Sequence, residues 1–259
     1  MTPDEPQMPA QNPDGKMNWD DYWLRAQGKR PKGLYELGAE FYRSQIISRA
    51  GARLLRRYLV DESNRRYLHA GCGSGGSDRR ITLSRPTFVA LDNSSQALVT
   101  NRAQFPERAG TLLCGDIRAL PLRSESLDGI FNFGVMEHFE ENELEVILSE
   151  FRRVLKPGGR MVLFWPPNFG LSVMVLGCFL WIVNRFRTQK LAFYPDEVSR
   201  IPSFRWARSL MRRTGFEVIR NHFGPRDLFT FVTVVAEKPA AEVVPSRELQ
   251  RVAPAAAAL

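Results

Sequence analysis

The sequence predicts an α/β fold with a mainly parallel sheet and helices on both faces, and three observations point to it. From Arg66 onward, short apolar runs alternate with segments of helical periodicity, the pattern that parallel strands and crossover helices produce. The run Tyr67-Leu68-His69-Ala70 leads directly into Gly71-Cys72-Gly73-Ser74-Gly75-Gly76, which reads as a buried strand turning over glycines into a helix. Near the end, two apolar runs flank Gly224-Pro225, closing the sheet with an antiparallel hairpin.

Residues 1–17 are rich in Pro, Gln, Asn and Asp, and the tail from Pro239 ends in an alanine run; both are expected to be disordered. Residues 18–65 form a helical segment, in which 42–59 places Ile46, Ala50, Leu54 and Tyr58 on one face and most arginines elsewhere. The α/β domain then spans 66–238. Strands are expected at 67–70, at 87–91 ending in Asp92, at 111–114 before Gly115-Asp116, and at 127–133. A helix over 142–155 buries Leu144, Ile147, Leu148, Phe151 and Leu155 and stops at Lys156-Pro157-Gly158-Gly159. Strand 160–165, a helix over 203–214 and strands at 216–221 and 229–237 complete the domain. No internal repeat is visible.

A chain of 259 residues with 44% apolar and 25% charged residues is one domain with appendages, and its composition excludes a disordered chain or a membrane bundle. The net charge of +8 suits an anionic neighbour, whether a membrane surface, a nucleic acid or an acidic substrate, and equally a solvated basic surface. Cys72, Cys114 and Cys178 have no metal-ligand spacing and are expected as reduced thiols in a cytoplasmic protein. The acidic, proline-containing start lacks a secretion-signal pattern.

The chemistry begins at the glycine turn. Gly71, Gly73 and Gly75 allow positive φ and a close backbone approach to a nucleotide-like cofactor. Gly71, Gly73 and Gly76 also satisfy G-x-G-x-x-G, which leaves phosphate binding at a helix N-terminus open. Asp92, at the end of the second strand, is placed to accept from two ribose hydroxyls. Asp116 could accept from an adenine amine while the Ile117 amide donates to a ring nitrogen; a surface acid or a helix cap is the alternative reading of each carboxylate.

Five blocks in order carry a resemblance: His69-Ala70-Gly71-Cys72-Gly73-Ser74-Gly75, Ala90-Leu91-Asp92, the run from Cys114 to Leu122, the run from Leu127 to Phe139, and the run from Phe151 to Arg160. With these, residues 66–238 resemble the class I S-adenosylmethionine-dependent methyltransferases, in particular bacterial small-molecule and lipid methyltransferases. The resemblance implies a Rossmann-like, seven-stranded, mainly parallel sheet whose last strand is antiparallel. It implies Gly71 and Gly73 against the methionine moiety, Asp92 on the ribose, Asp116 and Ile117 on the adenine, and 132–135 beside the sulfonium. The candidate cofactor-binding set is His69, Gly71, Cys72, Gly73, Gly75, Asp92, Asn93, Asp116, Ile117, Asn132 and Phe133. His69 stands where many members carry Asp or Glu to hold the methionine ammonium; a neutral imidazole can accept a hydrogen bond there.

Methyl transfer from a sulfonium needs in-line approach in a water-poor pocket more than acid or base help. For a hydroxyl or protonated amine acceptor a base assists, and His138 is the first candidate with Glu137 beside it; a structural His138 capping the next helix is the alternative. A subset of quinone-type methyltransferases similar to this family binds a metal through Glu-x-x-Glu-His, but Gly134 stands in place of the first Glu, so no metal is expected. The Pro166-Pro167-Asn168-Phe169 run follows strand five rather than strand four, and so does not support nucleobase amine methylation.

Residues 169–183 carry no charge, and between Asn184 and Arg226 ten Lys and Arg face three Asp and Glu. Fifteen apolar residues fall short of the roughly 20 that cross a bilayer as a helix. This insert, 169–190, suits contact with anionic headgroups at the inner membrane face while admitting an apolar acceptor; a buried cap or dimer interface is the alternative. The expected activity is S-adenosylmethionine-dependent methylation of a hydrophobic or amphipathic small molecule, lipid or quinone-like, without nucleic acid. A nicotinamide-dependent oxidoreductase and a non-catalytic cofactor-binding protein are the alternatives.

Overall fold

The computed structural model describes residues 17–27, 41–81, 87–170, 185 and 197–240. Its centre is a seven-stranded sheet made of β1 (Arg66–Ala70), β2 (Thr87–Asp92), β3 (Leu112–Cys114), β4 (Leu127–Phe133), β5 (Leu155–Trp165), β6 (Glu217–His222) and β7 (Val232–Glu237). The strands lie in the order β3-β2-β1-β4-β5-β7-β6. Pairs among β1 to β5 are parallel, whereas β7 runs antiparallel to both β5 and β6. The mixed sheet and its terminal hairpin agree with the expectation from sequence.

Helices α1 (Trp19–Gln27), α2 (Ser48–Tyr58), α3 (Ser95–Gln104), α4 (Glu141–Val154) and α5 (Phe204–Arg213) surround it. The period-2 alternation of β4 separates two cores. Ile130 joins Leu144, Ile147, Leu148 and Phe151 of α4 and Ala207, Leu210 and Met211 of α5. Phe131 faces the other way, with Tyr67, Phe164 and the α2 residues Leu55 and Tyr58. Helix α4 starts where Glu143 accepts from the Glu140 amide at 3.2 Å, satisfying a donor that a helix start leaves open.

Three local expectations are corrected. The buried face of α2 holds Ala50 and Tyr58 as expected but also runs through Gly51 and Leu55, while Leu54 packs only partly buried against the core and Ile46 precedes the helix. Its centre is a glycine, which carries no hydrophobic signal: a Cβ on Gly51 would stand 2.5 Å from the Phe133 ring, so the helix sits closer to the sheet than any side chain permits. The glycine turn leads into a 3-10 turn, Gly76–Arg80, rather than an α-helix, because Asp78 and Ile81 donate three residues back, to Gly75 and Asp78. Strand β5 begins at Leu155 and takes in the Pro-Gly-Gly segment expected as a stop, since Gly158 and Lys238 close backbone bonds of 2.8 and 2.9 Å between this segment and the end of β7.

Cys114 is exposed and Cys72 buried, both as free thiols; Cys178 and the insert beyond Gly170, Arg185 apart, lie outside the described residues, as do residues 1–16 and 241–259 of the expected tails. Among the described residues no helix is long and apolar enough to cross a membrane.

Alanine is the better helix former by about 1 kcal/mol, yet Gly51→Ala should lower the urea midpoint. The collision with Phe133 should outweigh the propensity gain, leaving a net loss of about 1–2 kcal/mol; an unchanged or raised midpoint refutes the close helix–sheet approach.

Candidate functional site

The C-terminal ends of β1, β2 and β4 meet at the glycine turn. Gly71 and Cys72 both donate to the Leu91 carbonyl, at 2.8 and 3.0 Å. The Asp92 carboxylate bridges two turns: Oδ2 accepts from the Gly73 amide at 2.8 Å and Oδ1 from the Ser94 amide at 2.9 Å. Asn101 of α3 donates to the Gly73 carbonyl at 3.2 Å. Gly71 and Gly73 have φ of 70° and 51°, and a Cβ on them would stand 2.7 Å from Val135 and 2.8 Å from Trp23. Positive φ and missing room both require glycine here. Burial raises the Asp92 pKa, opposed by its amide bonds; each oxygen keeps acceptor capacity beyond its one amide.

His69 lies at the end of β1 in the aromatic layer, stacked on Phe131 with ring centroids 4.4 Å apart. Its Nδ1 stands 3.1 Å from Asp78 Oδ2. An ionised carboxylate can only accept, so Nδ1 carries the proton and Nε2 becomes the acceptor. That Nε2 is buried and has no hydrogen-bond partner among the described residues. Asp78 follows the glycine turn and carries no sequence signal of this contact, because nothing in a spacing of nine residues announces a bond made through a 3-10 turn.

Asn132 and Phe133, neighbours in β4, point to opposite faces. The Phe133 ring stacks on Phe164 at 4.3 Å, in the layer beneath α2. Asn132 is fully buried, and both polar atoms of its amide lack a partner among the described residues. Such orphaned groups cost about 1–3 kcal/mol each when no ligand or water meets them.

Asp116 and Ile117 follow β3. Ile117 is buried, whereas the half-exposed Asp116 is held by the Arg118 guanidinium, with Nη2 donating to Oδ2 at 2.7 Å. Arg118 also reaches Glu143 at 2.8 Å. Asn93 is exposed at the crest of the β2 turn, and Cys72 lies buried within the glycine turn.

The two candidate proton carriers after β4 are separated by burial. His138 lies against Trp19, ring centroids 5.0 Å apart. Glu137 is 5% exposed and its Oε2 has no partner among the described residues. Desolvation pushes its pKa up to about 8. Its carbonyl accepts from Val198 and Ser199 at 2.7 and 3.1 Å, so the segment before α5 packs over it. Among the described residues no group of three His, Cys, Asp or Glu could hold a metal.

Helix α1 supplies the site residues that the sequence does not reveal. Trp19 meets His138, Trp23 lies over Gly73, and Asp20 accepts from Ser94 Oγ at 2.6 Å and from the Gln96 amide at 3.2 Å. The Ser94 hydroxyl bond is the main reason that the Asp20 pKa is lowered. Asp20 thus stands at the start of α3, where an anion is favoured. The Ser94-Ser95 pair is a readable N-cap signal; its partner seventy-four residues earlier is not. Asp20→Ala should speed amide exchange throughout α1 and at Gln96 by about fivefold or more, the equivalent of roughly 1 kcal/mol of lost anchoring; unchanged exchange would remove the tether.

Comparison with known proteins accords with this geometry. Residues 68–163 match a family described as methyltransferase domain. A demethylmenaquinone methyltransferase of Renibacterium salmoninarum is 31% identical over 134 residues, 49% of this chain and 54% of that protein. A probable S-adenosylmethionine-dependent methyltransferase of Mycolicibacterium smegmatis is 33% identical, over 54% of this chain and 50% of its own length. The chain therefore spans about half the length of these curated relatives. In fold it is similar to the magnesium protoporphyrin IX methyltransferase of Synechocystis, solved with bound SAH, at a TM-score of 0.61 and 15% identity over 84% of this chain and 93% of that one. The glycine turn pinned by Asp92 and the seven-stranded sheet with an antiparallel β7 accord with the match of residues 68–163 to the methyltransferase-domain family.

Proposed function

We propose that the protein transfers the methyl group of S-adenosylmethionine to a hydrophobic or amphipathic small molecule, lipid or quinone-like. The observation that carries this reading is the glycine turn pinned by Asp92 at the strand ends; buried polar atoms that the described residues leave unmatched lie nearby, His69 Nε2 in the aromatic layer, the Asn132 amide on the opposite face and Glu137 Oε2 after β4. That donor and acceptor set fits a zwitterionic cofactor with a polar ribose. In this reading Asp92 turns its remaining acceptor capacity to the ribose, His69 Nε2 accepts from the methionine ammonium, and the Ile117 amide meets the adenine. Bound there, the cofactor supplies a methyl on a sulfonium whose leaving group departs neutral. A demethylmenaquinone methyltransferase and a sterol 24-C-methyltransferase of Clavispora lusitaniae among the relatives support an apolar acceptor. Peripheral contact with an anionic membrane belongs to the same reading.

In this assignment the chain's own contribution to the reaction is desolvation and proton storage. The buried surroundings that raise Glu137 to about 8 keep its carboxyl protonated at neutral pH, able to donate to an acceptor oxygen; once ionised, it can take a proton from a hydroxyl. The buried Glu137 Oε2, without a partner among the described residues, supports Glu137 ahead of His138 for this task.

Titration calorimetry should show S-adenosylmethionine binding with nicotinamide cofactors inert, and Asp92→Ala should weaken binding by roughly 1.5–3 kcal/mol, the range for a hydrogen bond to a charged group. Equal affinity in the variant, or selective nicotinamide binding, overturns the assignment.

Glu137 also links stability to pH. Its carboxyl ionises near 4.5 when unfolded and near 8 when folded. Between those values the unfolded state holds fewer protons, so this contribution to stability is complete below pH 4.5 and falls as pH rises toward 8. Glu137→Gln should therefore stabilise the protein by a few kcal/mol at pH 8 and by much less at pH 5, while lowering methyl transfer to a hydroxyl acceptor. A pH-independent stability difference would show that the buried carboxyl does not titrate as described.

A further inference from the structure

Beyond the ends of β5 and β6, the described surface carries an aromatic array that meets the core through the partly buried Phe223. Phe169 packs edge-to-face on Phe204 at 5.8 Å and on Phe223 at 5.3 Å, and Phe223 on Phe229 at 5.3 Å. Phe169 and Phe204 nevertheless remain 37% and 41% exposed, and Leu228, beside Phe229, is 48% exposed. Such clustering differs from the scattered apolar residues of any protein surface.

The backbone is strained to maintain it. Leu228 and Phe229 both adopt left-handed φ, 54° and 56°, a conformation unfavourable for non-glycine residues. The strain is held by Asp227, whose Oδ2 accepts from the Phe231 amide at 3.0 Å and whose carbonyl accepts from Tyr42 Oη at 2.8 Å. The effect is to present a leucine to solvent, the reverse of what folding alone favours.

The rim is cationic. Residues 197–231 contain seven arginines and three acidic residues; Arg200 pairs with Glu197, and Arg213 with Glu141 and Glu145. Asp227 is buried in the turn just described, and Glu217 opens β6 at the end of the strand remote from Phe223. Arg205, Arg208 and Arg226 are exposed. A second copy of this chain would bring like-charged rims together across a two-fold contact, whereas an anionic bilayer meets arginines with phosphates and aromatics with acyl chains.

The patch also adjoins the site. The Phe229 carbonyl lies 3.0 Å from where a Cβ on Gly170 would stand, and the Phe231 ring lies 3.9 Å from the corresponding position on Gly134, in the turn that precedes Glu137.

We infer that Phe204, Leu228 and the arginines beside them form a docking face for an anionic lipid bilayer, which sets the C-terminal edge of the sheet against the membrane and lets an amphipathic acceptor enter the site from it. This rests on the reading of the acceptor as lipid-like. The aromatics enter the headgroup boundary, while Arg205, Arg208 and Arg226 hold the surface to phosphate.

The test is flotation of the full chain with phosphatidylcholine vesicles, with and without phosphatidylglycerol, at low and high salt. Two variants accompany it: Phe204→Gln with Leu228→Asn, in which asparagine tolerates the left-handed backbone, and Arg205→Gln with Arg208→Gln and Arg226→Gln. The wild type should float with the anionic vesicles alone and be released by salt. The triple variant should lose roughly a hundredfold in partition, as three arginines at about 1 kcal/mol each imply, and the apolar variant tenfold or more. Equal flotation on neutral vesicles, or variants that float like the wild type, overturns the docking face. So does a dimer in sedimentation velocity that the apolar variant dissolves, because it gives the patch to a second copy. Calorimetry with S-adenosylmethionine separates the two readings: its failure in the wild type removes the methyltransferase assignment whatever the vesicles do, and its survival in both variants shows that a flotation loss comes from the surface.

Discussion

The Asp92 carboxylate is the constraint on which the site depends. One side chain closes the amide of Gly73 in the turn after β1 and the amide of Ser94 in the turn after β2, so two parallel strands end in a single rigid edge. The network continues outward. Ser94 Oγ accepts from the Ala97 amide at the start of α3 and donates to Asp20 of α1. Hydrogen bonds in such a chain polarise one another in a low-dielectric interior, and loss of one member leaves buried amides unmatched rather than merely weakening a contact. The orientation of the glycine turn, the start of α3 and the position of α1 all follow from one acid at the end of β2.

Burial, rather than residue type, distinguishes the groups around this edge. Two carboxylates follow parallel strands at similar places in the fold, yet they differ chemically. Asp116 is half-exposed and neutralised by Arg118, a surface arrangement in which charge is cheap. Glu137 is buried with no cationic partner in contact among the described residues, and its carboxyl holds a proton into the neutral range. A fold assembled for stability alone would place an apolar residue there. The same contrast separates Glu137 from His138: adjacent in sequence, one points into the interior and the other toward an aromatic helix.

The pattern of apolar and acidic residues determines the succession of strands and helices, the antiparallel closure and the positions of Gly71, Gly73, Asp92 and Asp116 at strand ends. Alternation, glycine spacing and acids after apolar runs are properties of consecutive residues, so all of these are legible in the chain itself. So is the resemblance to methyltransferases, since its marks are short local runs.

Tertiary structure decides everything that depends on residues distant in the chain. Which face of α2 is buried is settled by the absence of a side chain at Gly51, where the helix meets Phe133. The partner of His69 is Asp78 because a 3-10 turn folds it back, and the partner of Ser94 lies in α1, a helix with no local sign of where it docks. The resemblance implies residues 132–135 beside the sulfonium; which of those side chains faces which layer is decided by strand alternation, which carries the Phe133 ring into the aromatic layer while its neighbour Asn132 turns the other way. Periodicity assigns a residue to a face; which face meets a core, a ligand or water is decided only when the layers pack, because burial is a property of the assembled elements and not of any one of them.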